Sequence, residues 1–333
     1  MQDMERSALL AFLISGRERV RAPKYRCHVG HSRDRNGGFS VSPSRTRHTV
    51  RSHTSQVALV SLVALSTLGR TSDAVAQTPS PLGEWQYSAG IPLEKMYQGN
   101  EADWQIRVGI GATFEPRYTG ADVYHTLVGP SLDIRYKDLA FFSTGEGLGV
   151  NVFQGQNWRV SVSAVYDLGR RAHDDPPNLQ GLGNINPAPE LKVAAEYVVS
   201  KDFPLVFRTA VTRSFGGANG YIADFGMYMP MPASSEKFYW FAGPSISAAD
   251  SNYMQSWFGV NSVQAADSQY RRYDAHAGLV SAGFGVTMIW FVTKHWFVTA
   301  DGALKRMLGS AAESPITQSK TNGVTDVSIN YSF

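Results

Sequence analysis

Cysteine is almost missing from this chain: Cys27 is the single one in 333 residues. An intrachain disulfide is therefore excluded, and so is a metal site built on several thiolates. Long apolar runs are missing too. The longest, Val57–Leu65, belongs to a stretch of about 12 apolar residues, short of the roughly 20 that a helix needs to cross a bilayer. From Trp85 onward no window carries a sustained helical spacing of apolar residues. A basic surface is also lacking in the body of the chain. Residues 1–76 hold 12 of the 31 Lys/Arg and 5 of the 28 Asp/Glu, which leaves 19 basic and 23 acidic residues beyond them. That mildly acidic balance offers nothing to nucleic-acid phosphates.

What the body does contain is alternation. In Thr325–Phe333 the odd positions Thr325, Val327, Ile329, Tyr331 and Phe333 oppose Asp326, Ser328, Asn330 and Ser332. A β-strand turns this period of two into one apolar and one polar face. Trp104–Phe114, Trp158–Tyr166 and Leu191–Val199 repeat the pattern, with Arg107, Arg159, Lys192 and Glu196 on the polar side. Similar runs fall near 124–136, 139–153, 204–215, 221–231, 236–248, 276–290 and 294–305. Alternation alone fits a soluble sandwich as well as a barrel. Aromatics at strand ends (Trp104, Phe114, Trp158, Tyr166, Trp290 and Trp296) match the interface girdles of a membrane barrel. The reading is an all-β chain forming a closed antiparallel transmembrane β-barrel in the bacterial outer membrane. It would have ten to twelve strands, twelve being preferred, depending on whether Trp85–Leu93 pairs and whether 139–153 is one strand or two. Tyr331 and Phe333 are expected to form the signal read by the barrel assembly machinery, and outer-membrane lipids are the expected surroundings.

The N-terminal portion reads as targeting sequence. Arg47, His48 and Arg51 precede the apolar run, and Ser72–Ala76 follows with Ala74 and Ala76 at the small-residue positions of a signal peptidase site. Residues 47–76 are thus expected to be a signal peptide, with the mature chain 77–333 starting at Gln77. Residues 1–46, rich in Arg and Ser and without hydrophobic periodicity, are expected to be a spurious or disordered extension.

Four ordered blocks carry a family resemblance. Glu115-Pro-Arg-Tyr-Thr-Gly-Ala-Asp122 comes first. Tyr166-Asp-Leu-Gly-Arg-Arg171 with Leu179-Gln-Gly-Leu-Gly-Asn-Ile185 follows. Then come Asp250–Val260 with Ala266–Tyr273, and finally Arg306-Met-Leu-Gly-Ser-Ala-Ala-Glu-Ser-Pro-Ile316. Together they resemble the MipA/OmpV family over roughly 110–333. Ala121, Asn184, Trp257 and Gln269-Tyr270 depart from its usual residues. The resemblance implies an outer-membrane barrel without established catalytic residues. It also implies a scaffold of the MltA-interacting type, which joins a lytic transglycosylase to a penicillin-binding protein. A narrow solute channel, an adhesin or a stress-response barrel are the alternatives. Arg306, Leu308 and Ile316 are the candidate interaction segment if that connection faces the periplasm.

Other motifs read more plainly. Gly145, Gly147 and Gly149 lack the strand–turn–helix setting of a phosphate loop and more simply make room inside a curved barrel. His173-Asp-Asp175 precedes Pro176-Pro177 in a polar loop without further ligands. His125, His173, His276 and His295 show no sequence-local partnership with a serine. No cofactor, metal or catalytic residue is expected. Arg135, Arg159, Arg208, Arg213, Glu190 and Glu196 are expected to project together into the lumen.

Overall fold

The computed structural model describes residues 103–333 apart from Lys201 and Glu236. The signal-peptide residues Ala74, Ala76 and Gln77, the segments 1–46 and 47–76, and Trp85–Leu93 lie outside the described residues. Twelve strands run through the described part: β1 Trp104–Pro116, β2 Tyr124–Tyr136, β3 Ala140–Ser143, β4 Gly147–Gln154, β5 Trp158–Asp167 and β6 Ala188–Val198, then β7 Val206–Ser214, β8 Tyr221–Pro230, β9 Phe238–Ala249, β10 Gly278–Phe291, β11 Trp296–Met307 and β12 Thr321–Ser332. Each pairs antiparallel with the next, and β12 closes the ring on β1, with Val108 opposite Tyr331 and Ala112 opposite Val327. The number twelve is reached by dividing 139–153 into β3 and β4 around a turn at 144–146.

The alternation read from the sequence sorts the two faces. Ile110, Val128, Leu148, Val193 and Ile329 stand exposed on the outside, while Ser131, Ser163, Lys192, Ser328 and Asn330 are buried inside. Only a closed ring of this kind lets its first and last strands pair with each other while turning an apolar surface outward. Trp104, Trp158, Trp290 and Trp296 mark one end of that surface and Phe114, Tyr166 and Tyr221 the other, all exposed. The ten-residue step from Trp104 to Phe114, at ~3.3 Å per residue and tilted by about 40°, spans about 25 Å, the height of the apolar band in such barrels.

The two ends of the barrel differ. Turns at 137–139, 155–157, 199–205, 231–237 and 292–295 lie at the end that also holds Asp103 and Phe333. The opposite end carries the long connections 168–187, 250–277 and 308–320. These include short helices: α1 Pro176–Leu179, α2 Ser251–Phe258, α3 Ser262–Asp267 and α4 Gly309–Glu313. The helical turn expected around Tyr253–Phe258 is α2, started by Asp250, whose carboxylate accepts the Tyr253 N–H at 2.8 Å.

Because Ile110 faces outward near the middle of β1, Ile110→Arg is expected to lower barrel stability by about 2–4 kcal/mol, as denaturant unfolding in phospholipid vesicles would measure.

Candidate functional site

Inward positions near the short-turn end bring charges together. The β5, β6 and β7 registers set Arg159 opposite Glu196 and Glu196 opposite Arg208. Arg135 of β2 reaches Asp133 at 2.9 Å and also pairs with Glu146 of the 144–146 turn. Arg159 hydrogen-bonds Glu196 and lies 3.5 Å from Glu146. Arg208 sits 3.7 Å from Glu196 and 3.9 Å from Glu146. Arg107 joins through Asp133 at 3.4 Å, and Asp138 lies 4.0 Å from Arg159. Four cations thus meet four anions, and Arg135, Arg159, Arg208, Glu146 and Glu196 are all buried. Charges removed from water persist in this way only where each is matched and hydrogen-bonded.

Of the six charged residues expected to share the lumen, Arg135, Arg159, Arg208 and Glu196 do so. Arg213 does not. It lies five residues from Arg208, an odd spacing that turns it to the outer face, where it sits over the Tyr221 ring at 4.7 Å and bonds Asn219. Glu190 points inward, but it pairs with Ser214 at the far end of β6. The sequence reading missed Glu146, because it lies in a turn where no alternation assigns a face. The glycines beside it do make room: a Cβ on Gly149 would stand 2.5 Å from the Phe141 ring.

Next to the network, on the same β6 and β7 and on the neighbouring β8 and β9, the inward face turns apolar: Val198, Val206, Tyr228 and Phe241 form a buried cluster. Tyr228 and Tyr239 meet Phe241 edge-on at 6.3 and 5.4 Å. Ion pairs and aromatic rings thus adjoin one another in the short-turn end of the lumen.

At the long-loop end the four motif blocks converge. Tyr118, Ala121, Leu179, Leu182, Val260 and Ile316 form one buried cluster, and Met254, Trp257, Phe258, Met307 and Ala311 belong to another. Arg170 links the two. Its guanidinium lies 5.9 Å from the Tyr118 ring and 6.0 Å from the Trp257 ring, and it donates to the Trp257 carbonyl at 2.9 Å. Burial pushes the Arg170 pKa down to about 10. Burial raises that of Tyr118, and the Asp175 carboxylate that accepts its hydroxyl adds to the effect. Asp175, one of the acids of the His173-Asp-Asp175 group, is therefore engaged by Tyr118 and by Asn178 at 2.9 Å. Gly181 holds φ at +82°, and a Cβ there would fall 2.0 Å from the Asp267 carbonyl, which explains the glycine of the Leu-Gln-Gly block.

The remaining sequence candidates fall as follows. Arg306 is exposed on the outer face of β11, Leu308 is half-buried as the cap residue of α4, and Ile316 is fully buried in the loop cluster. The whole segment lies at the long-loop end. His276 meets Ser310 through its backbone, with N–H to Oγ at 3.2 Å and Oγ–H to C=O at 2.8 Å. His125 stands 3.7 Å from Glu115. Tyr331 faces outward against Trp296 and Phe333, and the Phe333 N–H bonds the Ile106 carbonyl at 3.0 Å.

The family model described as MltA-interacting protein MipA matches residues 108–333. No curated protein matches the chain at a significant level. Among solved structures, the translocator domain of the autotransporter NalP from Neisseria meningitidis is similar at 11% identity and a TM-score of 0.38, over 82% of this chain and 98% of that one. A bacterial polysaccharide outer-membrane secretin matches at 8% identity and a TM-score of 0.37, over 70% and 100%. OmpT of Vibrio cholerae matches at 8% and 0.31, over 69% and 97%.

Two outcomes follow from the geometry. Arg159→Ala leaves Glu196 and Glu146 short of a buried partner and is expected to cost about 3–5 kcal/mol in denaturant unfolding, whereas an apolar replacement of the matched set costs less. Trp257→Ala removes the shelf under Arg170 and is expected to open the 168–187 and 250–277 loops to added protease while the heat-modifiable barrel survives.

Proposed function

The chain belongs to the MltA-interacting protein MipA family and is an outer-membrane β-barrel, and we propose that it serves as a non-enzymatic scaffold for peptidoglycan-remodelling enzymes. The observation that carries this reading is the family match over 108–333, whose description names an interaction with an MltA-type partner. The partners in view are a lytic transglycosylase and, through it, a penicillin-binding protein.

A scaffold of this kind works by position. The barrel wall is stiff, its place in the membrane is set by the aromatic girdles, and what it presents to the periplasm is the short-turn end. That end displays Leu139, Phe203 and Val292, each half-exposed or more, with Lys137, Lys237 and Lys294 around them. Phe203 is 50% exposed at the head of a turn whose Ser200 hydroxyl accepts the Phe203 N–H at 3.0 Å. An aromatic side chain held out on a fixed turn is the kind of anchor that dominates binding energy at an interface. Arg306 and Leu308 sit at the other end with the long loops, so their contacts belong outside the cell, and docking of periplasmic enzymes falls to the short turns.

The channel alternative is weighed against by the matched charges and packed rings that occupy the lumen near the short turns. Pulldown from detergent-solubilised envelopes, with and without crosslinker, tests the scaffold. A lytic transglycosylase or penicillin-binding protein is expected in the eluate, and Phe203→Asp together with Val292→Asp is expected to lose it while leaving membrane insertion intact. Absence of both enzymes, with discrete conductance from the pure protein in planar bilayers, would reject the scaffold in favour of a channel.

A further inference from the structure

The wall of this barrel is not of even height. β3 pairs with β2 only from Asp133 to Tyr136, and the Thr144 N–H adds one bond to the Leu132 carbonyl at 2.9 Å. β4 starts at Gly147 and follows β5 only as far as Ala164. The β3–β4 hairpin therefore stops at its 144–146 turn, while β2 continues to Tyr124 with β1 beside it. Along Tyr124–Pro130 no described strand lies on the far side of β2, and the next one, β5, is three strand spacings away, about 14 Å. The gap is bounded above by contacts between the 117–123 and 168–187 loops, where Arg117 donates to the Asp174 carbonyl at 2.8 Å and Tyr118 to Asp175 at 3.2 Å.

The bond from Thr144 identifies which β2 residues turn their backbone to the gap. Leu132 does, so Pro130, Val128, Thr126 and Tyr124 do too, by the alternation of an antiparallel strand. Pro130 has no N–H to offer, and it falls on this bare side, where a proline costs no ladder bond. The outer rim is apolar: Val128 is 68% exposed, with Pro130 next to it on the same face. The inner rim is largely apolar: Leu127 and Gly129 face inward from β2, Phe141 from β3 and Val165 from β5, with His125 beside Glu115 at its upper end. A Cβ built on Gly129 meets nothing within 4 Å, so the space behind the gap is open there.

We propose that this gap is a lateral window that seats the acyl chain of a membrane amphiphile, with its ester or amide linkage against the bare edge of β2. Three observations select that occupant. Val128 lies within the apolar band and Thr126 at its girdle, opposite Phe114, so N–H groups there that have no partner among the described residues need an acceptor where water is scarce. The lining that an entering chain would touch between Leu127 and Pro130 is apolar on both rims. Pro130 blocks continuous pairing by an added strand, which disfavours a peptide or a second copy of the chain on the same edge.

Cysteine scarcity makes the test clean. In a Cys27→Ser background, single cysteines at Gly129, at Ile329 on the outer face and at Ser328 on the inner face of the unbroken β12 wall are each labelled with a small fluorophore. The protein is folded into phosphatidylcholine vesicles and its heat-modifiable mobility confirmed. Phosphatidylcholine brominated on its acyl chains is expected to quench positions 129 and 329 alike and to spare 328, although 129 points inward. Aqueous iodide is expected to spare 129. With the label moved to Leu127→Cys, adding Gly129→Phe is expected to reduce quenching by the brominated lipid several-fold. Quenching of 129 by iodide and not by brominated lipid would mean a water-filled opening and overturn the proposal. Protection of 129 from both reagents would overturn it as well, marking a sealed wall, or a second copy on the edge if the protein then migrates as a dimer.

Discussion

Backbone hydrogen bonding in hydrocarbon governs everything else in this molecule. Each peptide N–H and C=O placed in a bilayer without a partner costs several kcal/mol, so a chain built from strands must close on itself. Closure then decides where each side chain goes. Residues facing the bilayer are apolar, as Val193 and Ile329 are, and residues of opposite parity are committed to a small interior. That interior is too narrow to hydrate isolated charges generously, so Arg135, Arg159 and Arg208 are held by Asp133, Glu146 and Glu196. The ion network is a consequence of closure, not an independent ornament of the lumen.

Parity was the part of the fold most legible in the sequence, because a strand's faces repeat every second residue whatever the tertiary context. Trp104–Phe114, Trp158–Tyr166 and Thr325–Phe333 emerge with the faces their alternation implies. Arg213 was misassigned to the lumen although the same rule, applied to its spacing from Arg208, places it outside. Glu146 was beyond that rule, since a turn residue has no alternating neighbours. The division of 139–153 into two short strands was ambiguous for the same reason: Gly145 and Gly147 punctuate a run that also reads as continuous. Parity is silent about the height of the wall as well, so a hairpin that stops early leaves no trace in the pattern.

Convergence of the loops was legible only as a list of blocks. Tyr118, Arg170, Trp257 and Ile316 are separated by up to 198 positions, and only the order of strands around the ring brings their connections to one end. The blocks that carry the family likeness thus serve, in this structure, a shared packing task at the long-loop end. The short turns, which bear the proposed contacts with periplasmic enzymes, lie at the other end and contribute little to those blocks. Family likeness and the proposed docking surface are thus separable features of the chain.

The loop cap has a further consequence for how the folded protein is recognised from the long-loop end. Its outer face is assembled from four distant stretches held by Arg170 and by buried rings, so no short peptide copies it. Antibodies raised against the folded barrel will read a discontinuous epitope that vanishes on boiling in detergent. Peptide immunogens taken from any single loop will elicit sera that recognise the denatured chain and miss the folded barrel.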